Sequence, residues 1–196
     1  NKIKKKRKIV LCIGLFAVEN HEAGLFAEDG TSIKSNIDFV NTIYKLSCEF
    51  KSLYFVLRFK DENTIKYISS DILNDINKSD NFEINNNLRG ANIYELSNIS
   101  DFIIGKQTSV MEEALSAGKK VIFYDKENHF NTIDYILNNI DISENSLDGL
   151  KNRLNNFLSG KYNYLNNSKN IPEDYFSINK NLDSYKIIKE TIYDNL

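Results

Sequence analysis

The sequence predicts an α/β fold of the Rossmann-like, doubly wound type, with a parallel sheet flanked by helices. Short continuous apolar runs alternate along the chain with longer segments whose apolar residues recur at helical spacing. Continuous apolar runs are typical of strands buried on both faces, as in parallel sheets covered by helices. Ligands of such folds bind beyond the carboxyl ends of the strands.

Four apolar runs are predicted to be core strands, and the polar, Asn-rich segment Asn81–Gly90 is left open as a short strand or a loop. The predicted strands are Ile9–Phe16, Leu53–Phe59, Asp101–Gly105 and Val121–Tyr124. The segments between and after them are predicted to be helices because of their apolar period. These are Ile33–Phe50, Asn63–Asn77, Asn92–Ser100, Thr108–Ala117, Asn131–Asn139, Leu147–Leu158 and Leu182–Tyr193. The many asparagines are interpreted as compositional bias.

Length and composition indicate one globular domain over residues 1–196. The chain is 41% hydrophobic and 27% charged, and its net charge of -2 gives no general reason to expect nucleic acid as a partner. The basic run between Lys2 and Lys8 is interpreted as a solvated lead-in to the first strand; the alternative is contact with anionic lipid headgroups or with a charged neighbouring domain. Cys12 and Cys48 lie in apolar patterns and are expected to be buried free thiols, which fits a reducing cytoplasm.

The stretch Gly105–Asp125 carries the chemistry. A strand, then Gly105, then Thr108 and Ser109 opening a helix is an arrangement that binds phosphate, because the first helical N–H groups have no internal partners and the dipole favours an anion. Gly105 is expected to allow a sharp turn. Plain capping of the helix by either hydroxyl explains the same residues equally well. The carboxylates of Glu112 and Glu113, one turn into the helix, favour a ligand because such a carboxylate can accept both ribose hydroxyls.

Ser100–Asp125 (SDFIIGKQTSVMEEALSAGKKVIFYD) resembles the donor-binding, C-terminal half of GT-B glycosyltransferases, above all those of bacterial capsule and surface polysaccharides. It is also similar to the UDP-GlcNAc 2-epimerases, which share that fold. The resemblance implies that Gln107, Thr108 and Ser109 contact the nucleotide phosphates and that Glu113 holds the ribose. The epimerases have glycines where Thr108 and Ser109 stand, which favours a transferase; Lys120 stands where proline is usual.

The resemblance extends more weakly upstream and downstream. Arg58 and Lys60 lie at a predicted strand end where the transferases often carry a cationic motif, and they are expected to face the pyrophosphate. A solvated strand end is the equal alternative. The segment 177–196 resembles the C-terminal helix that crosses back to the partner domain. His21 is a candidate acid or base in the loop after the first strand, and His129 is a weaker candidate near the base or sugar.

These observations lead to one leading hypothesis and two alternatives. The first is the donor-binding half of a cytoplasmic transferase that uses a CMP-, CDP- or UDP-linked sugar, without metal or cofactor. Peripheral association of this transferase with the inner membrane face is left open. Its acceptor site would lie in an N-terminal domain of a longer protein, of which this chain is expected to be a fragment. The alternatives are a nucleotide-sugar epimerase or glycerophosphotransferase-like enzyme, and a non-catalytic Rossmann-like binding domain.

Overall fold

A parallel sheet forms the centre of the fold, as predicted, and it has six strands. The computed structural model describes residues 7–15, 33–59, 62–85, 92–106, 108–126 and 142–162. The strands are β1 (Lys8–Gly14), β2 (Leu53–Phe59), β3 (Phe82–Ile84), β4 (Phe102–Gly105), β5 (Val121–Tyr124) and β6 (Ser143–Glu144). Their spatial order is β3-β2-β1-β4-β5-β6, which is the order of a doubly wound dinucleotide-binding fold.

Five α-helices and one 3-10 helix accompany these strands within the described residues. They are α1 (Ile33–Glu49), a 3-10 helix (Glu62–Tyr67), α2 (Ser70–Lys78), α3 (Ile93–Ile99), α4 (Ser109–Ser116) and α5 (Leu147–Leu158). The crossovers containing α1 and α4 run in opposite directions along the sheet, so right-handed connections place these helices on opposite faces. The prediction of a doubly wound fold is therefore confirmed.

The predicted helix Asn63–Asn77 is wrong as a single element. The chain breaks after the 3-10 helix, and Ser69 caps α2 by accepting a hydrogen bond from the Ile72 N–H. The serine side chain replaces the backbone acceptor that a continuous helix would have supplied. The apolar period of the segment continues across this break, which is why the pattern alone did not reveal it.

The two outer strands are too short and too polar to be recognised from apolar runs. β3 has three residues within the segment that was left open, and β6 has two residues, which the sequence did not predict. Each is held by backbone pairing to a buried neighbour, β3 to β2 and β6 to β5. Neighbouring strands thus determine these elements more than their own side chains do.

The core lies on both sides of the four central strands. Leu11, Phe55, Ile103 and Phe123 are among the fully buried side chains of β1, β2, β4 and β5. Their burial on both faces explains the continuous apolar runs in the sequence. Cys12 belongs to this core, and burial raises the pKa of its thiol. Cys48, in contrast, is exposed on α1, so the expectation that both cysteines are buried is wrong for the second.

Helices α4 and α5 are each followed, two residues after their last helical residue, by a glycine of left-handed conformation. Gly118 has φ 74° and Gly160 has φ 72°. After α4, the Lys119 N–H bonds to the Ala114 carbonyl and the Gly118 N–H to the Leu115 carbonyl, which is a complete Schellman motif. The C-cap is therefore Ala117, one residue before the predicted Gly118, and Gly118 is the left-handed residue that ends the helix and leads the chain into β5.

Several sequence predictions lie outside the described residues. They concern the helices Asn131–Asn139 and Leu182–Tyr193 and the crossing segment 177–196. In the part of the chain that is described, no helix is both long and apolar enough to span a membrane.

Candidate functional site

The carboxyl ends of β1 and β4 lie side by side at the point where the chain changes direction along the sheet. Ile13 of β1 is paired with Gly105 of β4, and the Lys106 N–H donates to the Ile13 carbonyl at 3.0 Å. From here β1 leads toward β2 and β4 leads toward β5, on opposite faces. Such a topological switch point opens a crevice, which is where ligands of doubly wound sheets bind.

Glycines allow close approach of the backbone at this edge. A Cβ on Gly105 would lie 2.6 Å from Met111 Sδ and 3.0 Å from the Ile13 carbonyl oxygen. Gly105 is the last residue of β4. Because it has no side chain, the first turn of α4 can pack on β1. We expected it to make a sharp turn, but among the described glycines only Gly118 and Gly160 have positive φ.

The N-terminus of α4 begins at this crevice. Thr108 is its N-cap and its hydroxyl accepts a hydrogen bond from the Met111 N–H at 3.4 Å, so the capping interpretation holds for Thr108. Within the described chain, the N–H groups of Ser109 and Val110 have no acceptor. These two donors and the helix dipole can therefore bind an anion beyond the cap.

Ser109 and Glu113 lie one turn apart on α4, and both are exposed. Residues at i and i+4 share one face of a helix, with Cβ atoms about 6 Å apart. A hydroxyl donor and a carboxylate acceptor therefore stand next to each other at the start of α4. Glu113 has no ion pair within the described residues, so its carboxylate is available to a ligand.

Lys106 is a buried cation at the same edge that sequence reasoning did not single out. Its side chain is 4% exposed, and its ammonium donates a hydrogen bond to Ser35 Oγ in the first turn of α1. Burying an ammonium is costly unless it is well solvated by polar partners. The bond ties the start of α1 to the turn before α4. The signal in the sequence, a lysine directly after an apolar strand, was weak.

The first half of α1 also reaches the end of β5. Asp38 pairs with Lys126 at 2.9 Å, and Phe39 packs on Tyr124 with ring centroids 6.0 Å apart. The Tyr124 hydroxyl lies 3.5 Å from Thr42 Oγ1. These contacts fix the helix that forms one wall of the crevice, because they hold α1 against two successive strand ends.

Arg58 lies apart from the α4 residues. Its guanidinium donates to the Asn85 carbonyl at 2.7 Å, at the end of β3. β1 separates β2 from β4, so the backbones of these two strands are about 10 Å apart. The structure brings four of the predicted site residues together, namely Gly105, Thr108, Ser109 and Glu113. Contact of Arg58 with a pyrophosphate stays a prediction.

The other sequence candidates, His21, Lys60, Gln107 and His129, lie outside the described residues. Across the described ranges, no group of three or more His, Cys, Asp or Glu side chains is placed to hold a metal ion.

The fold of this chain is similar to the folds of proteins of known structure. No protein-family model and no curated protein matches the sequence. Among solved structures, the UDP-GlcNAc 2-epimerase from Neisseria meningitidis, bound to UDP-GlcNAc, is similar with a TM-score of 0.56 and 19% identity over 97% of this chain. S. aureus MnaA, in a co-structure with UDP, is similar with a TM-score of 0.51 and 16% identity over 94% of this chain.

The chain spans 46% of the length of each of these two structures, which is about half. At these identities the likeness defines the class of fold: a Rossmann-like α/β domain of the kind found in these two proteins. It agrees with the strand order and with the switch point between β1 and β4.

Proposed function

We propose that this chain binds a nucleotide-activated sugar at the crevice between β1 and β4, as half of a two-domain enzyme of the GT-B type. The observation that carries the proposal is the start of α4 at the topological switch point, with Ser109 and Glu113 exposed on one face. The free N–H groups of Ser109 and Val110 suit a phosphate, and the Glu113 carboxylate suits the ribose hydroxyls.

The similar structures support the same ligand class. The N. meningitidis protein is bound to UDP-GlcNAc and the S. aureus protein to UDP. Uridine nucleotides are therefore the first ligands to test. Since the chain spans 46% of either structure, the acceptor or second substrate-binding half is assigned to a further domain, which for a transferase would be N-terminal.

Two reactions fit this ligand. One is glycosyl transfer in bacterial surface-polysaccharide synthesis, which the Thr108 and Ser109 hydroxyls favour through the resemblance to transferases. The other is nucleotide-sugar epimerisation, which is supported by the N. meningitidis neighbour, itself an epimerase. For the transferase, the resemblance implies a reaction without a metal ion. In either case the α4 N-terminus would stabilise negative charge on the nucleotide. Product analysis with the two-domain protein separates them: a new glycosidic bond indicates a transferase, and an altered sugar on the same nucleotide indicates an epimerase.

A glycerophosphotransferase-like enzyme is a further alternative, and so is a non-catalytic domain used only for binding or assembly. A Glu113 side chain buried against a basic neighbour would favour it, but Glu113 is exposed. The capping role of Thr108 fits both interpretations, because its O–H can still donate to a ligand while the oxygen accepts from Met111.

Replacing Glu113 with alanine is expected to weaken UDP binding about 10- to 100-fold, because hydrogen bonds to a charged group contribute about 1.5–3 kcal/mol. Ser109→Ala is expected to weaken it several-fold through loss of one donor. Calorimetric titration with UDP, CDP, CMP and GDP measures both effects.

Asp148→Ala is the matched control for these variants. Asp148 is an exposed carboxylate in the first turn of α5, which begins at the same edge but two strands away from β4. Its loss should leave affinity unchanged. Equal weakening by Asp148→Ala and Glu113→Ala would contradict the proposed ribose contact, because general charge would then explain both.

A further inference from the structure

We propose that the edge of the sheet opposite the nucleotide site binds the surface of an anionic lipid bilayer. We call this surface the basic edge. It consists of the residues that precede the strands and end the helices, and its exposed members are Lys8, Lys51, Lys78, Ile99, Lys120, Leu158 and Lys161. The inference rests on the distribution of charge and apolar groups, and it is independent of the proposed function.

The five lysines come together because of the topology. In a parallel sheet, every helix that returns to the start of the next strand ends at the same edge. Lys8 starts β1, Lys51 and Lys78 precede β2 and β3, Lys120 precedes β5, and Lys161 follows α5. This edge is cationic although the net charge of the chain is -2.

Acidic side chains at the same edge are used by structural contacts. Asp80 pairs with Arg7 at 2.8 Å, which lowers the pKa of Asp80 through that hydrogen bond. Asp101 accepts a hydrogen bond from the Ile9 N–H at 2.8 Å, which joins the starts of β4 and β1. Neither carboxylate forms an ion pair with the exposed lysines described at this edge, although the charge of Lys51 also lowers the pKa of Asp80. Glu49, at the end of α1, pairs with Lys151 at 2.7 Å.

Two of the lysines are held at one aromatic ring. The ammonium of Lys8 lies 4.6 Å from the centroid of Phe157, and that of Lys120 lies 5.2 Å from it. The ring attracts each cation, but the two like charges repel each other. An external anion would relieve that repulsion, so the pair forms the centre of a surface suited to anionic groups.

Exposed aliphatic side chains stand beside the lysines. Ile99, the last residue of α3, is 59% exposed, and Leu158, the last residue of α5, is 36% exposed. Apolar groups next to lysines are typical of surfaces that lie in the bilayer interface, where the apolar groups enter the acyl boundary and the cations contact headgroups.

These features fit a bilayer better than a nucleic acid. Proteins that bind single strands stack bases on exposed aromatic rings. The aromatic residues described at the basic edge, Phe50, Phe157 and Tyr162, are all buried. The available groups are flexible lysines and aliphatic side chains, which suit a fluid surface of monovalent headgroups.

Sedimentation with lipid vesicles tests the proposal. The wild-type chain is expected to pellet with vesicles that mix phosphatidylglycerol and phosphatidylcholine, to stay in solution with phosphatidylcholine alone, and to be released by salt. A triple variant with Lys51→Glu, Lys120→Glu and Lys161→Glu is expected to bind at least about 100-fold more weakly, since each lysine contributes about fivefold.

The control triple variant is Lys34→Glu, Lys66→Glu and Lys126→Glu, which changes three exposed lysines near the carboxyl ends of the strands by the same total charge. It should keep most of the vesicle binding. Equal loss in both triple variants, no binding to the anionic vesicles, or tighter binding of a short RNA than of these vesicles would overturn the proposal.

Discussion

Replacing Asn81 with alanine is expected to lower the free energy of unfolding by about 3 kcal/mol, although Asn81 is far from the crevice. Its side-chain amide donates to the carbonyls of Ser47, Phe50 and Leu53, at 2.9, 3.4 and 3.2 Å. Its Oδ1 accepts from the Ser79 hydroxyl at 3.0 Å. Asn81 is fully buried, and the Phe50 carbonyl also accepts from the Leu53 N–H. Alanine would remove the two amide hydrogens shared among these carbonyls and the acceptor of the Ser79 hydroxyl, at about 1 kcal/mol for each of these three.

Urea denaturation of the Asn81 variant measures this effect, with Asn74→Ala as the matched control. Asn74 is an exposed residue of α2, where alanine is the better helix former, so its replacement should be neutral or slightly stabilising. Asn81→Asp tests the mechanism, because it keeps the size but loses the donors. A loss of stability below about 1 kcal/mol in Asn81→Ala would contradict the role of this amide.

Replacing Gly105 with alanine is expected to cost about 2 kcal/mol of stability, which is typical of overpacking, and also to weaken nucleotide binding. The new Cβ would press on Met111 and on the backbone of Ile13, both fully or almost fully buried. Relief requires the first turn of α4 to move away from β1. That movement displaces the N–H groups of Ser109 and Val110, which we assign to the phosphate.

Gly118→Ala is the control for this variant. Gly118 has positive φ but no atom within 4 Å of an added Cβ, so alanine there should cost about 1 kcal/mol through backbone strain alone and should leave binding intact. Combining Gly105→Ala with Met111→Ala should cost less than the two single changes added together. Strict additivity would show that Met111 is not the group that Gly105 accommodates.

The central part of the fold follows from the sequence because long apolar runs and helical periods are local signals. Leu53–Phe59 and Val121–Tyr124 were predicted with their observed bounds, and the C-cap of α4 to within one residue. The outer strands were not predicted, because Ser143–Glu144 is extended only through pairing with Phe123 and Tyr124. Asn81 was interpreted as compositional bias, since nothing in a single sequence shows that one asparagine among many is buried.

The candidate site was predicted in part for similar reasons. Thr108, Ser109 and Glu113 are close in sequence, so their helical arrangement could be deduced from spacing. The burial of Lys106 beside Ser35 joins residues 71 positions apart, and the bond of Arg58 to Asn85 depends on the pairing of β2 with β3. Contacts between residues so far apart in the sequence depend on the order of the strands in the sheet. The local pattern of strands and helices did not specify that order.

An NMR titration of the isotopically labelled chain with UDP tests the location of the site most directly. We predict that the backbone amide signals of Lys106, Ser109 and Val110 shift on addition of UDP, while those of Lys51, Gly118 and Lys161 at the opposite edge do not. Shifts confined to the opposite edge, or no shift with UDP, CDP, CMP or GDP, would contradict a nucleotide site between β1 and β4.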